Sequence, residues 1–151
     1  MRFEQTRDVL EHVEAFHHEA GALYRDLHEK AASTRVRMLL DYLARHEENL
    51  ARSVADFRKE SAKMVLDSWF KYTHDQDIFK PLRAVDMTRG PDFDEALELA
   101  MMLDEKLLEL YREMAERARA PEVKDVFNNL LLREMQEKQK LMRSALGLMD
   151  L

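Results

Sequence analysis

The sequence predicts an all-α fold: a four-helix bundle made of two duplicated antiparallel helix hairpins joined by a long crossover. Three observations predict it. The 151 residues include only three Gly and three Pro, and 36% are charged, a composition that favours helix and leaves little from which to build strands. Four long segments carry apolar residues at three- and four-residue steps, the period of a helix with one buried face. Finally, two stretches 87 residues apart repeat one another. Leu23-Tyr24-Arg25-Asp26-Leu27-His28-Glu29-Lys30-Ala31 aligns with Leu110-Tyr111-Arg112-Glu113-Met114-Ala115-Glu116-Arg117-Ala118, with five identities and three conservative changes.

The first periodic segment, about residues 5–31, places Leu10, Val13, His17, Ala20, Tyr24 and Leu27 on one face. Ser33-Thr34 then supplies side chains able to cap the next helix. That helix, about 34–62, has Val36, Leu39, Leu40, Leu43, Glu47, Leu50, Val54 and Phe57 on its stripe. Asp92 with Glu95 three residues later is a capping-box arrangement at the start of the third helix, whose stripe is Leu97, Ala100, Asp104, Leu107, Tyr111 and Met114. Pro121, where a missing N–H costs nothing, opens the fourth with acid in its first turn. Val123, Val126, Phe127, Leu130, Glu134, Glu137 and Leu141 follow. At ~1.5 Å per residue the helices span on the order of 35–40 Å.

Short links join helices 1 to 2 and 3 to 4, so the hairpins at 5–62 and 92–147 should each be antiparallel. The crossover, 65–91, contains Trp69, Phe70, Tyr72, Ile78, Phe79 and Leu82 and is too apolar for a solvated linker. It is expected to run the length of the bundle with these side chains buried, which gives an up-down-down-up topology. One domain, 1–151, is the expectation for this length.

Several function classes are excluded by composition. A net charge of −6, with both signs interleaved, offers no footprint for nucleic acid. No apolar run approaches a membrane span and the N-terminus lacks a signal-peptide core, so a cytoplasmic protein is expected. The absence of Cys removes disulfides, thiolate metal sites and iron–sulfur chemistry. Any metal must be held by His and carboxylates.

The repeat directs attention to the middle of the stripes. Carried without a gap, the same offset sets His17 against Asp104, Glu47 against Glu134 and Tyr24 against Tyr111. A site at the centre of a duplicated pair would be lined once by each copy. Repeated helix pairs, a long crossover and ionisable residues midway along all four stripes resemble the ferritin-like superfamily, most closely its rubrerythrin-like branch, over nearly the whole chain. In that family helices 1 and 3 each give a Glu to a di-iron site, with a Tyr two turns later, and helices 2 and 4 each give Glu-x-x-His.

Tyr24 and Tyr111 hold the Tyr positions, and seven residues before them stand His17 and Asp104 in place of Glu. Glu47 and Glu134 hold the shared carboxylate positions, while Leu50 and Glu137 replace the two His. The resemblance therefore implies a di-iron carboxylate centre with an altered ligand set: His17, Glu47, Asp104, Glu134 and Glu137, with iron as one ion, two or none. One metal position keeps His17 with Glu47 and Glu134. The other has Asp104 and Glu137 with the same two carboxylates, an all-oxygen set suited to a hard cation or iron. The Cys-rich electron-delivery segment of rubrerythrins is missing.

Ionised carboxylates in an apolar interior each cost several kcal/mol unless protons, cations or metal neutralise them. The residues themselves leave two solutions open. One is bound metal. The other is a metal-free network in which His17 pairs with Glu47 or Glu134 and another carboxylate keeps its proton. His12, His18, His28, His46 and His74 are expected at the surface, since no His has a Glu four residues after it. Met101-Met102 and the Met-rich tail from Met142 to Met149 are expected in core and interface packing. Three functions fit these residues: a rubrerythrin-like iron or peroxide oxidoreductase, a metal-free interaction or dimerisation module, and non-redox metal storage or delivery. A metal ion is the expected partner, and a homodimer is compatible with the sequence.

Overall fold

The structure is a computed structural model that describes residues 2–72 and 77–150, with residues 2–4, 71 and 72 described as backbone alone. In chain order the elements are β1 (Arg2–Gln5), α1 (Thr6–Lys30), α2 (Thr34–Glu60), α3 (Lys63–Leu66), β2 (Trp69–Tyr72), α4 (Lys80–Arg83), α5 (Phe93–Arg117) and α6 (Pro121–Met149). The four long helices follow the periodic segments closely. Their starts have the expected chemistry: Val36 N donates to Ser33 Oγ at 3.1 Å, Glu95 N to Asp92 Oδ1 at 2.8 Å, and Asp92 N back to Glu95 Oε1 at 3.2 Å. Asp8 accepts from Gln5 N at 3.1 Å, which caps α1 in the same sense.

The topology is up-down-down-up, and two contacts fix it. At one end Thr6 N, opening α1, donates to Ser68 O at 2.8 Å. At the other, Gly90 lies so close to the end of α1 that a β-carbon there would overlap the Lys30 carbonyl, and Lys30 Nζ reaches Met87 O. The crossover therefore carries the chain from the first turn of α1 to its last, and α5 descends parallel to α2. The stripes meet in a core containing Leu10, Val13, Tyr24, Leu27, Leu39, Leu43, Leu103, Leu107, Tyr111, Phe127 and Leu130, all essentially without exposure.

The crossover differs from expectation in two respects. Low strand content was expected throughout, yet β1 and β2 pair antiparallel, Arg2 opposite Tyr72 and Gln5 opposite Trp69. Aromatic residues favour strands, and here the ladder covers one end of the bundle. Pairing also corrects the burial of Trp69. Side chains alternate along a strand, so Phe70 turns inward, edge-on to Phe127 with centroids 5.6 Å apart, while Trp69 is 66% exposed.

Ile78, Phe79 and Leu82 are buried as expected, with Phe79 edge-on to Phe16 at 6.0 Å. The Tyr72 side chain and His74 lie outside what is described. Among the described residues, no helix is long and apolar enough to cross a membrane.

Candidate metal centre

Among the described residues seven polar side chains are buried, and six of them lie midway along the long helices: His17, His46, Glu47, Asp104, Glu134 and Glu137. Each is delivered by helical period. His17 follows Leu10 and Val13 on α1, Asp104 follows Leu97 and Ala100 on α5, and Glu134 and Glu137 continue from Phe127 and Leu130 on α6. Gly21 on α1 faces the Glu47 side chain of α2; a β-carbon there would lie 3.6 Å from Glu47 Cβ, so the hairpin is closely packed at this level.

His17 Nδ1 and Glu47 Oε2 are 2.6 Å apart, with both side chains about 1% exposed. His46 Nε2 lies 3.2 Å from both oxygens of Asp104. Its other nitrogen, Nδ1, is 3.8 Å from Glu137 Oε2, an ion-pair distance and too long for a hydrogen bond. Glu137 in turn meets Arg133 Nη2 and Lys140 Nζ, each at 3.3 Å, at the edge of the bundle. Ligand atoms of His46, Glu47 and Asp104 all lie within 4.8 Å of one another.

These contacts set the protonation of the centre. Burial pushes the Glu134 carboxyl well up, and the charges of Asp104 and Glu47 push it further. Burial opposes a charge on His46, yet Asp104 and Glu137 outweigh it and raise the imidazole to about 11. Glu137 is lowered to about 2, chiefly by the His46 ring and then, against its burial, by Lys140 and Arg133. Tyr24 is raised by burial and by Glu47 and Asp104. Tyr111 is raised by burial and by Glu134 and Glu47. Both phenols thus lie within the field of the carboxylates.

His17 Nε2, Tyr24 Oη, His46 Nδ1 and Glu134 Oε1 are buried with no hydrogen-bond partner. Such atoms are uncommon in interiors, and each calls for a partner such as a water or an ion. The close donor set of His46, Glu47 and Asp104, one imidazole and two carboxylates from α2 and α5, suits a cation.

Of the residues singled out by sequence, Glu47 and Asp104 share the close donor group. Glu134 lies within the field of both. His17 joins through Glu47, and Glu137 sits on the far side of His46. His46 corrects the expectation that it is a surface residue: it is 3% exposed and forms the centre of the donor group. The signal was in the sequence, because Leu39, Leu43, His46 and Leu50 stand at steps of four, three and four. The buried face of α2 is broad enough to hold His46 as well as Glu47, since α2 packs against α1, α5 and α6.

His12 and His18 are exposed as expected; His18 lies 3.9 Å from Glu14, four residues before it. Met102, Met142 and Met149 are exposed, while Met101 packs against the core.

No family model matches the chain, and no curated protein does. A solved structure does match: a Thermotoga maritima protein described as of the ferritin-like diiron-carboxylate kind, with a TM-score of 0.61 over 96% of this chain and 97% of that one. The fold is ferritin-like. At 18% identity the likeness is one of fold, covering the four long helices and the crossover between them. Within that ferritin-like fold the buried donors occupy the middle of the bundle.

Proposed function

We propose that the chain is a metal-binding ferritin-like protein in which His46, Glu47 and Asp104, joined by Glu134, hold a divalent first-row ion. The observation that carries this reading is the set of partnerless buried atoms beside three converging donors. One nitrogen with carboxylate oxygens suits iron, manganese or zinc, and the Thermotoga protein's description favours iron. Bound iron would supply one-electron chemistry toward dioxygen or peroxide.

The chain's own residues then have separate tasks. Burial raises the Glu134 carboxyl well above its ordinary range and His46 is raised to about 11, so both groups would have to be deprotonated to serve as ligands and uptake would release protons. His17 fixes the orientation of Glu47 by its 2.6 Å contact. Glu137, anchored by Arg133 and Lys140, sets a negative charge 3.8 Å from His46 Nδ1 and acts on that ring electrostatically. A rubrerythrin-like oxidoreductase acting in the cytoplasm is the finer form of this proposal, and metal storage or delivery without turnover is its non-redox form.

A metal-free centre is the second reading, favoured by the pairing of two inner carboxylates with imidazoles, Glu47 with His17 and Asp104 with His46. In that case the bundle is an interaction module. Elemental analysis of protein purified without added metal, beside Glu134→Ala, separates the readings: at least one metal per chain that the variant loses supports binding, and no metal in either supports the second. An absorbance change on adding ferrous iron and then peroxide distinguishes redox chemistry from storage.

A further inference from the structure

The outward face of α6 carries a second apolar stripe that the bundle does not use. Leu132, Met135, Gln139, Met142, Leu146 and Met149 recur at alternating steps of three and four, the 3.5-residue period of a coiled-coil seam. The same helix already buries Leu130, Glu134, Glu137, Leu141 and Ala145 on its inner face. The outer apolar residues are open: Leu146 is 58% exposed, Leu132 55%, Met149 47%, Met135 41% and Met142 37%. A single exposed apolar side chain needs no explanation. Five in register along ~26 Å of helix, at ~1.5 Å per residue, form a contiguous patch of the kind that marks a docking surface.

We propose that this face joins two copies of the chain by antiparallel α6–α6 packing about a two-fold axis that passes between Gln139 and Met142. The stripe is self-complementary in that arrangement. Leu132 meets Met149 of the second copy, Met135 meets Leu146, and Gln139 meets Met142, so every layer across the seam contains an apolar side chain. Gln139, the one polar seam residue, falls beside the axis, where a polar group can set the register. The surface has the matching relief: Lys138, Gln139, Met142 and Arg143 line a depression of about 340 Å³, centred on the proposed axis.

Charge selects the antiparallel sense. A parallel pair would set Lys138 against Arg143 of the second copy on both sides of the seam, a like-charge contact made twice. The antiparallel pair sets Lys138 opposite Ala145, Gln136 opposite Arg143 and Asn129 opposite Asp150, with no like charges across it. Lys138 is moreover already met by Glu105 of α5 at 3.2 Å. The seam lies on the opposite face of α6 from Glu134, so pairing does not depend on metal.

Sedimentation equilibrium on the full chain at micromolar concentrations should give a dimer, and Met135→Glu/Leu146→Glu should sediment as a monomer with unchanged helical circular dichroism. A parent that stays monomeric into the submillimolar range, its seam left for some other partner or for lipid, would overturn the proposal, as would a folded double variant that still dimerises. The native chain has no Cys, so cross-linking is clean and uses surface substitutions that leave the core intact. Mixing Leu132→Cys with Met149→Cys protein under oxidation should give the mixed disulfide dimer, with little from either variant alone. A strong Leu132→Cys homodimer would show parallel packing and sink the arrangement.

Discussion

His17 and Glu47 are joined at 2.6 Å, but their counterparts one repeat later, Asp104 and Glu134, are not joined to each other. Asp104 turns to His46 at 3.2 Å, leaving Glu134 Oε1 without a hydrogen bond. The duplicated halves share a frame and differ in chemistry. One keeps a closed imidazole–carboxylate pair, and the other leaves a carboxyl available at the centre.

Removing one member of the closed pair should be costly. His17→Leu leaves Glu47 buried and uncompensated, for which a loss of about 3–5 kcal/mol is expected. Replacing both, as His17→Leu with Glu47→Leu, should cost less than the sum of the single changes. Urea unfolding of the two single variants and the double variant measures the coupling; additive losses would mean that the two side chains do not act as a pair.

Metal binding to the native state alone must stabilise it. At free metal a hundredfold above Kd the gain is about 2.7 kcal/mol, worth roughly 5–10 °C in Tm for a chain of this size. Thermal melts in chelator and with added ferrous iron under anaerobic conditions report it. Coincident melts would favour the metal-free network.

Glu134→Gln should have opposite effects in the two states. Gln resembles the protonated carboxyl in shape and removes the penalty of ionising a buried acid, so the metal-free variant should melt at or slightly above the parent. With metal present the variant loses a ligand and should gain less on loading. Equal metal-induced shifts in parent and variant would remove Glu134 from the ligand set.

Two glycines should respond in opposite directions. Gly21 lies mid-helix with ordinary space for a β-carbon beside Glu47, so Gly21→Ala should stabilise by about 0.5–1 kcal/mol through backbone entropy. Gly90 abuts the Lys30 backbone, and Gly90→Ala should cost about 1–3 kcal/mol because the crossover must move off α1. Denaturant midpoints of both variants check the pair, and a neutral Gly90→Ala would deny that the crossover closes on α1 there.

The cap of α5 offers a test with a defined pH sense. Asp92→Ala should lose about 1 kcal/mol. Glu95 is held below its ordinary value of 4.5, first by Arg89 and then by the Asp92 N–H. A depressed carboxylate contributes stability that is present above 4.5 and lost as pH falls through the lowered value. The stability advantage of the parent over Glu95→Gln should therefore shrink as pH drops below 4.5; a gap that stays constant into strong acid would mean that the Arg89 and cap contacts do not distinguish the charged form.

The helices, their caps and the hairpin pairing were legible in the sequence because each depends on local chemistry: apolar steps of three and four, Ser33, Asp92 with Glu95, and Pro121. The repeat likewise located His17, Glu47, Asp104 and Glu134, since an internal duplication preserves register wherever the helices end up in space. Tertiary structure alone decided the rest. His46 became central because α2 packs against three other long helices and so buries the row of Leu39, Leu43, His46 and Leu50 as well; the row is visible in the sequence, but only the packing shows that it is buried. Trp69 went outward and Phe70 inward because β2 found β1 some 65 residues earlier, a pairing set by where the crossover lies and not by the residues around it. Which imidazole meets which carboxylate was decided in the same way, by the relative rotation of packed helices, and that rotation fixes which buried donors remain open to a metal ion.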